Sequence, residues 1–238
     1  MPGLGTIINT AAIVVGGLLG LLFKNLLTES MEDTLLKASS VCVLFIGIGG
    51  AMQHMLKITD GTLETSGSMM LIICFVLGSI VGELLDIEGA FERFGAWLRK
   101  KTHSESDTSF LSAFIHASLT VCIGAMAIVG SIQDGLLGDS SLLCAKAALD
   151  AVIILVMTAS MGKGCIFSAI PVALLQGGVT LLSRVLAPVF TEAAIANLSY
   201  TGSVMIFCVG LNLVWGKKIK VANLLPTLVF AVLYALVF

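Results

Sequence analysis

Residues 171 to 180 read PVALLQGGVT, inside an apolar run that extends from about Cys165 to Leu186. About 20 apolar residues suffice to carry a helix across a hydrocarbon core, so the run is long enough for one crossing. It holds three features that an unbroken row of Leu and Val would not. Pro171 removes a backbone donor and frees the carbonyl one turn earlier. Gln176 is a costly polar group at mid-depth unless it meets a partner or water. Gly177 and Gly178 have two readings. Small residues let helices approach closely, or they mark a locally unwound helix whose freed backbone groups face a cavity.

The rest of the chain is of the same kind. Its 238 residues are 57% hydrophobic and 12% charged, with a mean hydropathy of +1.05. That balance lies far outside that of a soluble globular domain and predicts an all-α, polytopic membrane protein whose first partner is the lipid bilayer. Eight apolar stretches read as spans: about 4–23, 35–56, 67–85, 109–130, 142–161, 165–186, 198–215 and 221–238. One transmembrane domain, 1–238, leaves no room for a soluble one. The first run has no basic residue before it, so it reads as a mature span rather than a cleaved leader. Between the third and fourth stretches, Ile87, Phe91, Phe94 and Leu98 recur at helical spacing opposite Glu88, Glu92, Arg93 and Arg99. This predicts a helix over 87–101 lying on the membrane surface.

A net charge of -2, with basic residues mainly at the ends of apolar runs, argues against nucleic acid as a partner. Lys24, Lys37, Arg93, Arg99, Lys100, Lys101, Lys163, Lys217, Lys218 and Lys220 fall on one side of the predicted topology; Lys57 and Arg184 fall on the other. The side that retains basic residues is normally cytoplasmic, which places both termini outside. All six cysteines lie within apolar runs and read as small hydrophobes rather than as a disulfide frame.

PVALLQGGVT has a counterpart. Ala12 to Leu21, AIVVGGLLGL, aligns with Ala173 to Leu182, ALLQGGVTLL, with four identities in ten positions that include Gly16/Gly177 and Gly17/Gly178. Leu35 to Ile48 then aligns with Leu198 to Leu211, sharing Leu35/Leu198, Ser40/Ser203, Val41/Val204 and Gly47/Gly210. Spans one and two thus map onto six and seven. The offset of five spans is odd and reverses direction through the membrane, giving repeat one over about 4–86 and repeat two over about 164–238. Inverted-topology repeats are the usual symmetry of secondary transporters, with a site near the midplane where the repeats meet.

Charges inside spans sharpen the expectation. Lys146 and Asp150 stand at i and i+4 and share a helix face. Asp150 lies about nine residues from the outer end, roughly 14 Å at 1.5 Å per residue, so it should face protein or water and be paired or protonated. The bland reading of the pair is a structural ion pair; the other is a role in an ion or solute pathway. His116 reads equally as a titrating group or as a hydrogen bond between helices. Glu83 reads as a carboxylate at headgroup level. Gln133 and Asp134 read as members of an outer loop whose carboxylates draw cations to a mouth. The pathway set is therefore Asn9, Gly16, Gly17, Lys146, Asp150, Ser168, Gln176, Gly177 and Gly178.

No HExxH, Gly-x-Ser-x-Gly or phosphate loop is present, and His54, His103 and His116 have no metal spacing, so neither an enzyme nor a metal or other cofactor is expected. Several stretches in order, Gly3-Leu-Gly-Thr-Ile-Ile-Asn9, Gly124-Ala-Met to Gln133-Asp134-Gly135, Lys146-Ala-Ala-Leu-Asp150, Phe167 to Pro171 with Gln176-Gly177, and Val221 to Pro226, resemble the bacterial inner-membrane family grouped as domain of unknown function 554. The resemblance spans the whole chain. It implies a multi-pass protein of the bacterial inner membrane and brings no substrate or catalytic residue. Function then rests on the repeat, the helix breakers and the buried charges, which suit a secondary transporter or permease for a small solute or ion. The alternatives are a non-transporting scaffold or partner-binding subunit, with glycines as packing faces, or a channel; Gly-rich faces also suit a homo-oligomer.

Overall fold

The computed structural model describes residues 2–24, 28–59, 61–104, 108–122 and 125–237. Helix α1, Leu4–Lys24, follows Gly3, which sits at φ 89°, a left-handed conformation that glycine adopts without strain. Helix α2, Glu29–Met55, begins with Thr28 as N-cap and extends more than a turn before the predicted span. A hairpin follows, β1 Leu56–Thr59 against β2 Thr62–Thr65, antiparallel with Lys57 opposite Glu64. The Asp60-Gly61 dipeptide is a hairpin signal, and Gly61 has φ 78°. Helices α3, Ser68–Leu85, and α4, Ile87–Lys101, come next, joined at Asp86. The helix predicted over 87–101 is present as α4, with Leu98 buried and Ile87, Phe91 and Phe94 packed on the core while Trp97 stays exposed.

The fourth stretch departs from the expectation of one straight helix over 109–130. It is a pair, α5 Phe110–Cys122 and α6 Ala125–Leu137, bent by 60°. Helix α7, Ser141–Met161, is continuous and stops at Gly162, φ 96°. The sixth stretch opens as a 3-10 segment, Lys163–Ser168, then runs as α8, Ala169–Leu181, and a short α9, Ser183–Leu186. Helix α10 spans Glu192–Trp215; a 3-10 turn, Val221–Leu224, precedes α11, Pro226–Val237.

Both glycine pairs lie inside unbroken α-helix, so the expected unwinding at Gly16-Gly17 and Gly177-Gly178 is not what the chain does. Glycine weakens a helix by only about 1 kcal/mol, and neighbouring helices compensate. The irregular backbone instead falls just before Pro171, at Lys163–Ser168.

Among the described residues, five helices are long and apolar enough to cross a membrane: Leu4–Lys24, Ser68–Leu85, Ser141–Met161, Lys163–Leu181 and Glu192–Trp215. The bent α5–α6 pair counts as a sixth if it is one span, and Ser40–Met55 and Val221–Val237 are shorter apolar helices. Their packing is pairwise. Helix α1 runs alongside α7 in the same direction, since Gly5 faces Leu143, Gly16 faces Ala151 and Gly20 faces Leu155. Helix α2 crosses α10 in the opposite sense, with Gly47 at Phe207 and Gly50 at Ser203; α3 crosses α11 with Gly78 at Thr227 and Gly82 at Asn223. The main apolar core lies among α5, α7, α8 and α10 and includes Phe110, Phe114, Ile154, Val172 and Met205.

Candidate functional site

Helix α7 buries a stripe at helical spacing, Leu143, Lys146, Ala147, Asp150, Ile154, Met157 and Thr158. The i,i+4 geometry brings Lys146 Nζ to 2.8 Å from Asp150 Oδ1, with the two side chains 9% and 4% exposed. Asn9 Nδ2 donates to the other carboxylate oxygen, Oδ2, at 3.0 Å. Asp150 is therefore held by two donors, one from each helix of the α1/α7 pair. A charge at this depth demands such partners, because an isolated one costs several kcal/mol.

Gly16 is what allows the contact. It lies seven residues after Asn9, on the same helical face as Asn9, Ile13 and Gly20. A Cβ at Gly16 would collide with the Ala151 carbonyl, and one at Gly20 with the Leu155 carbonyl. The bare face lets α1 lie directly on the α7 backbone, which brings Asn9 within reach of Asp150. Gly17 faces Ile166 of the 3-10 segment, where a Cβ would be 2.5 Å from Cγ1. The other pair differs, since a Cβ at Gly177 or Gly178 would meet nothing within 4 Å.

Ser168 and Gln176 are buried, at 0% and 1% exposure. Among the described residues, neither the Ser168 hydroxyl nor either end of the Gln176 amide has a hydrogen-bond partner, and the remaining Asn9 oxygen is likewise unpaired. Cys122, at the end of α5, is partly buried and within electrostatic reach of Lys146 and Asp150; in the sequence it reads as one more apolar position. Among the described residues none of the six cysteines forms a disulfide, and Cys42 is exposed rather than buried.

The outer-mouth expectation is corrected. Gln133 and Asp134 lie on α6, not in a loop, and Asp134 is fully buried. Its Oδ2 accepts from the Gly3 and Gly5 N–H groups at 3.1 and 3.0 Å. These are donors that a helix N-terminus leaves unsatisfied, and the carboxylate complements the positive end of the α1 dipole. Asp134 thus anchors α1 and does not face a mouth. Gln133 is partly buried beside it.

A second polar cluster occupies the opposite end of the bundle. Glu88, 5% exposed, accepts from the Ala222 N–H at 3.0 Å and pairs with Lys217 at 3.1 Å. Its own N–H donates to Asn223 Oδ1 at 2.7 Å, and Asn223 Nδ2 donates to Glu83 at 2.7 Å. Lys217 also pairs with Glu92, and Lys220 with Glu83 at 2.5 Å. Partial burial alone would lower the Lys217 pKa, but its hydrogen bonds to Glu92 and Glu88 outweigh that and raise it. The hydrogen bond to Glu83 raises that of Lys220, and the one from Arg93 lowers that of Asp86. His116 bonds within its own helix, Nδ1 lying 2.9 Å from the Ser112 carbonyl, and not between helices. It lines a cavity of about 150 Å³ with Glu88, Glu92, Asn212 and Lys217. These contacts fasten α4 to the segment after α10. The signal in the sequence is the WGKKIK segment, 215–220, as the basic complement of Glu83, Glu88 and Glu92.

Comparisons with known proteins agree with the architecture. The chain is 26% identical over 224 residues to the "Uncharacterized membrane protein YdfK" of Bacillus subtilis (strain 168), covering 94% of this chain and 92% of that protein. It is 25% identical over 232 residues to the "Uncharacterized protein YqgA" of Escherichia coli (strain K12), covering 96% and 94% respectively. No solved structure matches. A membrane-protein relative and the set of long apolar helices make this a multi-pass membrane protein. The family model described as "Protein of unknown function (DUF554)" matches residues 4–236, and the chain belongs to that family.

Proposed function

We propose that this protein is a secondary transporter or permease for a small solute or ion, with its site where α1, α7, α8 and the α5–α6 bend converge. The observation that carries the reading is the buried carboxylate of Asp150, held by Lys146 and Asn9 between two otherwise apolar helices. Intramembrane ionisable groups are costly and by default mark a pathway. Gln176 and Ser168 add buried polar groups with unmet hydrogen-bonding capacity. In this reading Asp150 is the coupling or counter-charge, Lys146 its alternate partner, and the amides contact the solute. Catalytic chemistry has no part in it.

The inverted repeat belongs to the same proposal and has support in the packing. Under the alignment of α2 with α10, Leu44 corresponds to Phe207 and Gly47 to Gly210, each 163 positions apart. A Cβ at Gly47 would lie 2.8 Å from Phe207 Cα, and one at Gly210 2.8 Å from Leu44 Cγ. The two contacts exchange under the alignment, as the proposed two-fold requires of an antiparallel helix pair. With the shorter apolar helices counted as crossings, the chain makes eight spans. The basic residues then gather on the cytoplasmic side of a bacterial inner membrane, with both termini outside.

The test is flux into proteoliposomes, with ions, protons, amino acids and organic acids as solutes. Wild type is expected to move one class, and Asp150→Asn to lose coupled uptake. Flat traces for both proteins across all classes would sink the reading. A scaffold is the second reading, favoured by the continuous α1 and its glycine contacts with α7. It predicts flat traces together with recovery of a stable hetero- or homo-oligomer.

A further inference from the structure

A cavity of another character lies beside the α5–α6 break. It has a volume of about 480 Å³ and is enclosed by α5, α6, α8, α10 and α11 with the segment after α9. That size falls within the range of small-molecule sites, about 300–1,000 Å³. Its lining is hydrocarbon apart from the Ser118 hydroxyl and the Cys122 thiol. A stable internal water needs two to four polar partners, so this space is not a water chamber.

The shape and the mouth identify the occupant. The wall runs from Phe91 and Leu225, at the end that carries α4, to Leu186 and Phe190 at the other. Along α11 alone, Leu225 to Leu233 covers roughly 12 Å at 1.5 Å per residue. The void is thus elongated along the helices. Its α11 wall includes Val229 and Leu233, which are 60% and 47% exposed on the surface of an apolar helix. In a membrane that surface meets acyl chains. An empty wall would forfeit its dispersion contacts, and the adjoining solvent supplies hydrocarbon of the right form.

We propose that this cavity binds the alkyl chain of a bilayer lipid, which enters sideways through the α11 face and wedges between the α5–α6 bend and α11. Its described lining includes none of Asn9, Lys146, Asp150, Ser168 and Gln176, and the inference does not rest on the transport reading. Leu175 of α8 and Val232 of α11, only 7% exposed, lie inside it, whereas Val152 of α7, 63% exposed, is an ordinary lipid-facing position.

Two measurements test it. The full-length protein, extracted in mild detergent, is weighed by native mass spectrometry as wild type, as Leu175→Phe/Val232→Phe, and as Val152→Phe. Wild type and Val152→Phe are expected to retain a long-chain adduct whose occupancy falls about tenfold in the filled double variant. The adduct's mass separates a phospholipid from a free fatty acid or an isoprenoid. An adduct unaffected by filling, a polar adduct, no adduct in wild type, or a dimer lost on filling would each overturn the proposal. Because the filled variant can fail to fold, wild type alone is also reconstituted in phosphatidylethanolamine–phosphatidylglycerol vesicles containing a diazirine-tagged acyl chain. Labelling at Leu175 and Val232 is expected. Labelling confined to Val229, Val152 and similar outer positions would overturn it.

Discussion

The two glycine pairs, alike in sequence, do opposite things. Gly16-Gly17 in α1 lies against the Ala151 backbone and Ile166, while Gly177-Gly178 in α8 has no atom near enough to touch an added Cβ. The α1 pair sits opposite a straight helix, α7; α8 packs on α6, half of a bent pair. Beside α1, Asp150 has two donors, whereas among the described residues the Gln176 amide on α8 has no partner at either end. One half of the bundle is closed around its charge and the other is loosely filled. A glycine pair therefore marks a place where helices can meet, and the neighbour decides whether they do.

The largest expected effect attacks the closed half. Asp150→Ala leaves Lys146 buried without a counter-charge and should cost about 3–5 kcal/mol, read as lost folded yield and lower Tm in detergent. Lys146→Met/Asp150→Leu removes both charges and should recover most of that stability without restoring flux. If the double variant transports, the pair is purely structural.

Next comes the pair of glycines itself. Gly16→Val should destabilise by about 2–3 kcal/mol through overpacking against α7. Gly177→Ala should range from neutral to a gain of about 1 kcal/mol from helix propensity. Equal losses in thermal unfolding would show that α8 has a close neighbour in the assembled protein, as a homo-oligomer would provide.

Gln176→Leu tests the loosely filled half. Removing a buried amide with no partner should stabilise by about 1–3 kcal/mol, seen as a raised Tm, while abolishing flux if the amide contacts solute. A loss of stability would reveal a partner for the amide.

The smallest effect lies at the α3–α4 junction. Asp86 sits at φ 48° and pairs with Arg93 at 2.9 Å, and this hydrogen bond lowers its pKa. Its folded pKa is below the unfolded value, so the stabilisation is complete above about pH 4 and fades as pH falls through the lowered value. Asp86→Asn keeps a residue tolerant of left-handed backbone. The Tm gap between wild type and this variant should be slight at pH 7 and close on acidification toward the lowered pKa. A gap that widens at low pH would contradict the assignment.

Much of this was legible in residue order, because it depends on interactions within one helix. Span five emerged at its predicted ends to within a residue, and Lys146–Asp150 formed as i,i+4 spacing requires. The helix over 87–101 followed from its period. The misses share a cause. Asp134 resembles a turn residue next to Gly135 and Gly138, yet it is a cap for a helix more than a hundred residues away. Of the two readings of the glycine pairs, packing or unwinding, the helix is kept at both and packing occurs at Gly16-Gly17, because helix persists wherever packing or lipid leaves its internal hydrogen bonds undisturbed.

The sequence by itself determined the solvent of this protein, the number and length of its apolar runs, the amphipathic α4 and the charged face of α7. Those properties come from composition and from neighbours three or four residues apart. Only the tertiary structure decided that Asn9 completes the coordination of Asp150, that Gly16 of α1 meets the α7 backbone while Gly177 and Gly178 of α8 meet no described neighbour, and that the fourth span bends. Leu, Val and Ile present nearly equivalent surfaces, so helix partners follow from the joint packing of all faces and from a few glycines whose significance depends on the element opposite.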